Sequence, residues 1–318
     1  MEQSFLAWLR GRTRSLPQVA VGIGDDAAVI DIPSGYQMIA STDAIIDGVD
    51  FISAEHSLLD IGYKSIAVNL SDIAAMGASP IAVLVTLSLP SVDATKIAAG
   101  IYEGILECAS KYGLCIAGGD ISVYDGPLAV SIAIFGQVKS GSAWLRSGAL
   151  EGDAIVLTGP VGGSLLGRHL RPTPRIDLVE RLRPLAMIHA AMDISDGLSL
   201  DLDRLCAASG VGAELDLPSI PIHSDAVKRS QLPGGRPAIE HALGDGEDFE
   251  LILAMDAVEY DDLARRHPEL SLHRIGSFVG RTGLWSRTVN EMKRLSPSGF
   301  VHGERRSPKR PDNPMEQA

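Results

Sequence analysis

The sequence predicts an α/β (α+β) protein of two domains, and three observations carry that reading. Apolar runs rich in β-branched residues alternate with stretches of helical period, the pattern of sheets covered by helices. At 318 residues the chain is roughly twice the usual single-domain length. A polar, glycine-bearing stretch at 139–153 splits the pattern. Domains are therefore expected at 1–140 and 141–303, followed by a tail at 304–318.

Residues 4–10 read as a short capped helix. Residues 28–30 and 38–40 read as short strands with aspartates and turn residues beside them, so carboxylates are expected at strand ends. The first long helix is expected over 60–76. Ile66, Ala67, Leu70, Ile73 and Ala74 keep helical spacing there, and Gly77 stops it. Asn69 and Asp72 are three apart and project from one face of that helix. The run at 81–89 reads as a buried strand, and a second helix follows over 93–112. A short strand at 114–117 delivers Gly118-Gly119-Asp120 at its end, and 128–138 is a further strand. Hairpin-like neighbours predict a mixed sheet in this first domain.

Beyond the boundary, 154–158 opens a second α/β unit. A helix is expected over 195–208, with Leu198, Leu202 and Leu205 on one face, and a strand over 249–254. The tail holds three prolines among many charges and is expected to be disordered.

Composition narrows the function classes. Aromatic residues are 5% of the chain, too few for a stacking surface on single strands. A net charge of −12 opposes nucleic acid. The three cysteines Cys108, Cys115 and Cys206 form no Cys-x-x-Cys pair and predict a reducing compartment. With no signal peptide at the start and no long apolar run, a cytoplasmic protein without membrane partners is expected.

Carboxylates recur in short glycine- and serine-bearing motifs. They are Gly22-Ile23-Gly24-Asp25-Asp26, Thr42-Asp43, Asn69-Leu70-Ser71-Asp72, Gly118-Gly119-Asp120, Asp193-Ile194-Ser195-Asp196-Gly197 and Gly244-Asp245-Gly246-Glu247-Asp248. Carboxylates gathered at close range repel unless a cation compensates them. The joint pattern predicts a shared site for hard cations, and magnesium suits oxygen donors and substrate phosphates. Zinc is disfavoured because no His or Cys pair has ligand spacing. No complete dinucleotide fingerprint or P-loop occurs. Gly159-Pro160-Val161-Gly162-Gly163 offers backbone N–H groups to a phosphate but reads better as a plain strand-to-helix turn. Such an inventory suits phosphoryl transfer, where positioning and charge neutralisation do most of the catalysis. Arg146 is a candidate cationic donor.

Taken in order, these motifs resemble the thiamine-monophosphate kinase family. The resemblance rests on Gly24–Ala28, Ser41-Thr42-Asp43, the run at 67–78, Gly118-Gly119-Asp120, Arg146-Ser147-Gly148-Ala149, the run at 193–198 and the run at 246–251. It implies two α/β domains, a first-domain sheet that pairs across a homodimer, and ATP as co-substrate. It also implies direct transfer of the γ-phosphate to thiamine monophosphate with several magnesium ions and no phosphoenzyme. Asp25 or Asp26, Ser41, Thr42, Asp43, Asp72, Asp120, Asp193 and Asp196 would hold magnesium. Asp43, Asp72, Asp120 and Asp196 would be catalytic. Tyr102, Gly119, Arg146 and Ser195 would face ATP, and Asp50, Glu247 and Phe300 the acceptor. One departure concerns the acceptor: the family pattern has a histidine where this chain has Asp50.

Two alternatives follow. A sister enzyme such as an aminoimidazole ribonucleotide synthetase shares the pieces but fits Ser41-Thr42-Asp43 and the 246–251 run less well. A hydrogenase-maturation dehydratase would need a C-terminal cysteine, and a selenophosphate synthetase an N-terminal one. A non-catalytic protein that binds ATP or thiamine phosphate predicts binding without turnover.

Overall fold

A computed structural model describes residues 8–13, 16–23, 26–287 and 292–301. Asp25, residues 4–7 of the expected first helix and the tail at 304–318 lie outside these described residues.

Among the described residues, two long helices and a four-stranded sheet form most of the first half, and residues 8–10 are helical. The strands are β3 (Tyr36–Ile46), β4 (Ser79–Pro90), β5 (Cys115–Tyr124) and β6 (Ala129–Lys139), in the order β3-β6-β4-β5. β4 and β5 run parallel and the other pairs antiparallel, the expected mixed sheet. A two-stranded ribbon, β1 (Val19–Val21) with β2 (Val29–Ile30), precedes it.

One sheet face is covered by α1 (Leu58–Ala75) and α2 (Ala94–Lys111). Strand residues Val83, Val85, Leu87, Val130, Ile132 and Ile134 are fully buried there with Ile66, Leu70 and Ile73 of α1. Ser57 caps α1, accepting from Asp60 N at 3.1 Å, and Gly77 at φ +64° ends it. The two helices touch backbone to backbone. A Cβ on Gly62 would stand 1.9 Å from Ile101 O, and one on Gly104 1.9 Å from Leu59 O. Only glycine permits that approach.

The opposite face is open along β3, while the β1–β2 ribbon packs on Ala82 of β4 and Cys115 and Ala117 of β5. Tyr36, Met38, Ala40, Thr42, Ala44 and Ile46 of β3 are all exposed or partly exposed. Across the sheet Ala44 pairs with Ser131, Ser131 with Thr86, and Thr86 with Asp120, so one row spans four strands.

Two expectations about strand ends are corrected. Asp43 lies inside β3, and Gly118-Gly119-Asp120 lies inside β5. β3 continues because Ala44-Ile45-Ile46 keep pairing with β6. β5 continues because Gly119 lets β4 approach: a Cβ there would sit 1.9 Å from Val85 O.

The second half is built on a seven-stranded sheet. Its strands are β7 (Ala154–Leu157), β8 (Ala190–Asp193), β9 (Gly212–Leu215), β10 (Leu251–Met255), β11 (His273–Val279), β12 (Gly283–Arg287) and β13 (Met292–Leu295). They are ordered β13-β12-β9-β11-β7-β10-β8, with only β12 and β9 parallel among the pairs described. Five helices accompany them: α3 (Ile176–Leu182), α4 (Leu198–Ser209), α5 (Ser224–Ser230), α6 (Ala238–Gly244) and α7 (Ala257–Arg266). α4 starts three residues later than its apolar spacing predicts. The Asp201 carboxylate accepts from Asp196 N at 2.9 Å and Gly197 N at 3.0 Å and holds 195–197 as a loop. No described helix is long and apolar enough to cross a membrane.

Candidate active site

The strand period places Ser41, Asp43 and Ile45 on the helical face of β3, opposite α1. Asp43 N donates to Asn69 Oδ1 at 3.1 Å, and Ser41 Oγ donates to Asp72 Oδ2 at 2.6 Å. Two helix residues three apart thus meet two strand residues two apart. The surrounding protein, then the facing Asp72 and Asp50 carboxylates, push the Asp43 carboxyl well above its usual range. One residue before Asp72 on α1, Ser71 Oγ donates to Asp193 Oδ2 at 2.7 Å, carrying the contact to β8 of the second half. Burial first, then Asp72, pushes Asp193 up, and Arg146 opposes the shift. Asp43, Asp72 and Asp193 therefore form a chain of interacting carboxylates across the junction, with Arg146 near its far end. Thr42 is directed elsewhere: its hydroxyl donates to Ile132 O at 3.0 Å.

A 360 Å³ cavity opens beside this chain. Asp43, Asp50, Asp196, Asp245 and Glu247 line it, with Ser195 and Phe300, and Lys64 is the one cation among its lining residues. Lys64, fully buried, donates to Glu247 Oε1 at 2.6 Å and to Asp50 O at 2.7 Å. Asp50's own carboxylate accepts from Ile46 N at 2.8 Å, so it closes the turn after β3. Asp196 is paired with Arg204, and Phe300 N donates to Asp196 O at 2.9 Å. Glu247 stands at φ +52°, its N–H on Ser195 O at 2.7 Å. Its neighbours brace it. Asp248 accepts from Gly162 N at 2.9 Å and from Arg168 at 2.8 Å, and Asp245 accepts from Gly163 N at 3.1 Å. The N–H groups of Gly162 and Gly163 are thus spent on carboxylates, and their segment is a turn, as expected, leading into 3₁₀ rather than α structure.

A larger cavity of 750 Å³ adjoins β5 and the β1–β2 ribbon. Tyr102, Gly119, Asp120 and Asp26 line it, with Thr86 and Phe135. Asp120 belongs to the open-face row, whereas Asp43 faces α1. Three strand spacings, about 14 Å, separate their positions along the sheet. Within one chain the expected site residues are thus spread over two places, and among the described residues no group of three or more His, Cys, Asp or Glu stands close enough to hold a metal ion. Asp43 and Asp72 nonetheless fit a hard cation. They are oxygen donors pressed together so that one is driven toward protonation, and a cation would relieve that repulsion.

Lys64 was not legible as a site residue. Its only sequence signal is a charge at helical spacing with Val68 and Ser71, on the stripe that faces the second half. Arg204 and Asp201, which hold Asp196 and its loop, gave none beyond their place in the helix after Asp196-Gly197.

Residues 24–138 match the family model described as AIR synthase related protein, N-terminal domain, and residues 140–284 match that for the C-terminal domain. The chain is 56% identical over 312 residues to the curated thiamine-monophosphate kinase of Rhodopirellula baltica, covering 96% of this chain and 98% of that relative. Among solved structures it is similar to the thiamine-monophosphate kinase from Stenotrophomonas maltophilia K279a. Identity there is 35% and the TM-score 0.77, over 88% of this chain and 94% of that one. It is also similar to AaThiL complexed with AMPPCP and TMP, at 27% identity and a TM-score of 0.75, over 95% of each chain.

Proposed function

The chain belongs to the thiamine-monophosphate kinase family of AIR synthase related proteins, and from that premise we propose that it transfers the γ-phosphate of ATP to thiamine monophosphate. The observation that carries the reading is the 360 Å³ cavity, whose rim of carboxylates adjoins the Asp43–Asp72 pair. Thiamine monophosphate joins a cationic thiazolium to a phosphate, and a carboxylate-lined cavity favours that cation. Glu247 and Phe300, which line the cavity, would meet the rings. Asp50, replacing the family's histidine, directs its carboxylate to Ile46 N and serves the turn.

An acceptor phosphate oxygen attacks Pγ in line as the bond from Pγ to the ADP oxygen breaks, giving thiamine diphosphate and ADP with no covalent enzyme species. Asp25 or Asp26, with Ser41, Thr42, Asp43, Asp72, Asp120, Asp193 and Asp196, would hold magnesium, which would supply charge neutralisation at the moving group. In our reading Tyr102 and Gly119 border the nucleotide in the larger cavity, while Arg146 and Ser195 approach its phosphates from the second half. The division of the chain near 139–153, and a cytoplasmic location in keeping with three buried free thiols, belong to the same reading.

The open face of the first sheet supports a homodimer. Asp120 lies on that face and Asp43 on the other, so both can serve one phosphate only if a second copy supplies one of them.

The test is product analysis after incubation with ATP, magnesium chloride and thiamine monophosphate. Thiamine diphosphate and ADP are expected in equal amounts, and chelation of magnesium should stop both. ATP binding with no diphosphate formed would overturn the reading in favour of another acceptor or a binding role.

A further inference from the structure

Lys64 sits on α1 with its side chain fully buried, the one cation in a cavity lined by five carboxylates, Ser195 and apolar residues. A lysine is almost never fully buried unless paired, because desolvating the ammonium costs several kcal/mol. Here two acceptors compensate it, and they come from different halves of the molecule. One is the carbonyl of Asp50 in the turn after β3, and the other is Glu247 of the second half.

Glu247 needs such a partner. It occupies a left-handed backbone conformation at φ +52°, between Gly246 at φ +75° and Asp248, and Phe249 follows at φ +53°. Non-glycine residues persist in that region only where their surroundings hold them. Asp248 and Asp245 anchor the loop's flanks on the Gly162–Gly163 turn, but neither fixes the Glu247 side chain. Lys64 does. It also belongs to a stripe, since Lys64 and Ser71 are seven residues apart, two helical turns on one face of α1. From that face Ser71 holds Asp193 as Lys64 holds Glu247.

We propose that Lys64 is the positioning residue for Glu247, fixing that carboxylate against the acceptor's cationic ring and so setting acceptor affinity without touching the nucleotide. This rests on the reading of the smaller cavity as the acceptor site.

The experiment compares K64M, E247Q and the double variant in steady-state kinetics, with calorimetric binding of thiamine monophosphate alongside. K64M should raise KM for thiamine monophosphate by about tenfold or more, the worth of a charge-assisted hydrogen bond, with KM for ATP within about twofold. The double variant should be no worse than E247Q alone, because Lys64 acts through Glu247. An unchanged acceptor KM in K64M, a parallel rise for both substrates, or multiplied losses in the double variant would each overturn the assignment. Should K64M fail to fold, K64R makes the same comparison: it keeps the charge but not the compact ammonium that reaches both acceptors. If the wild-type protein turns over another acceptor and does not bind thiamine monophosphate, the acceptor reading falls and takes this one with it. If wild type and K64M bind it equally, only the Lys64 assignment falls.

Discussion

Asp43, a residue of the proposed magnesium site, carries a charge that costs the fold stability. Its carboxyl is driven upward by the surrounding protein, by Asp72 and by Asp50. A carboxyl whose native pKa exceeds its unfolded value loses stability as pH rises through that window, and at neutral pH the charge is a net cost. Asp43→Asn should therefore raise the melting temperature of the magnesium-free protein, by about 2 °C once solvent screening is allowed for. The same change should lower turnover by about 10²-fold or more, because charge neutralisation at the moving phosphate is the main catalytic contribution. Calorimetry and initial rates on one preparation check both, and full turnover in the variant would remove Asp43 from the machinery. The aspartates were legible in the sequence because each sits in a short motif with glycine or serine. Lys64 was not, because a lysine in an amphipathic helix reads as solvent-facing. What buries it is Glu247, 183 residues away.

At the scale of elements, α1 organises the molecule. It packs under the first sheet, crosses α2 at glycine contacts, and presents Asn69 and Asp72 to β3 and Lys64 and Ser71 to the second half. Its C-terminal end and apolar face were readable, since Gly77 and the Ile66–Leu70–Ile73 spacing are local signals, whereas its start behind the Ser57 cap falls two residues before the expected one. The continuation of β3 through Asp43 and of β5 through Gly119 was not, because it is decided by neighbouring strands. The helix crossing is equally non-local. At Gly104 an added methyl would fall 1.9 Å from Leu59 O. Gly104→Ala must push the helices apart, so it should destabilise the fold by about 3 kcal/mol despite alanine's better helix propensity. Urea denaturation measures this, and a stabilised variant would show the crossing to be looser than described.

For the whole molecule, the question is whether one chain contains a complete site. Its two halves meet along α1, so Asp72, Asp193 and Glu247 converge within a single copy. Asp120 does not join them, because it projects from the open face of the first sheet at the far end of the Ala44–Ser131–Thr86–Asp120 row. Sequence motifs cannot reveal this, since they carry no information about which sheet face a carboxylate occupies once strand boundaries are misplaced. A homodimer through that face makes a specific demand. If each site takes Asp43 from one copy and Asp120 from the other, Asp43→Asn and Asp120→Asn proteins should both be inactive alone. When the two are unfolded together and refolded, about half the dimers are mixed, and in each mixed dimer one site receives two intact aspartates while the other receives none. Activity should recover to about one quarter of wild type. If both aspartates instead act within one copy, every site keeps one defect and mixing restores nothing. Because the expected recovery is set by counting rather than by energetics, the two arrangements differ by presence or absence of turnover.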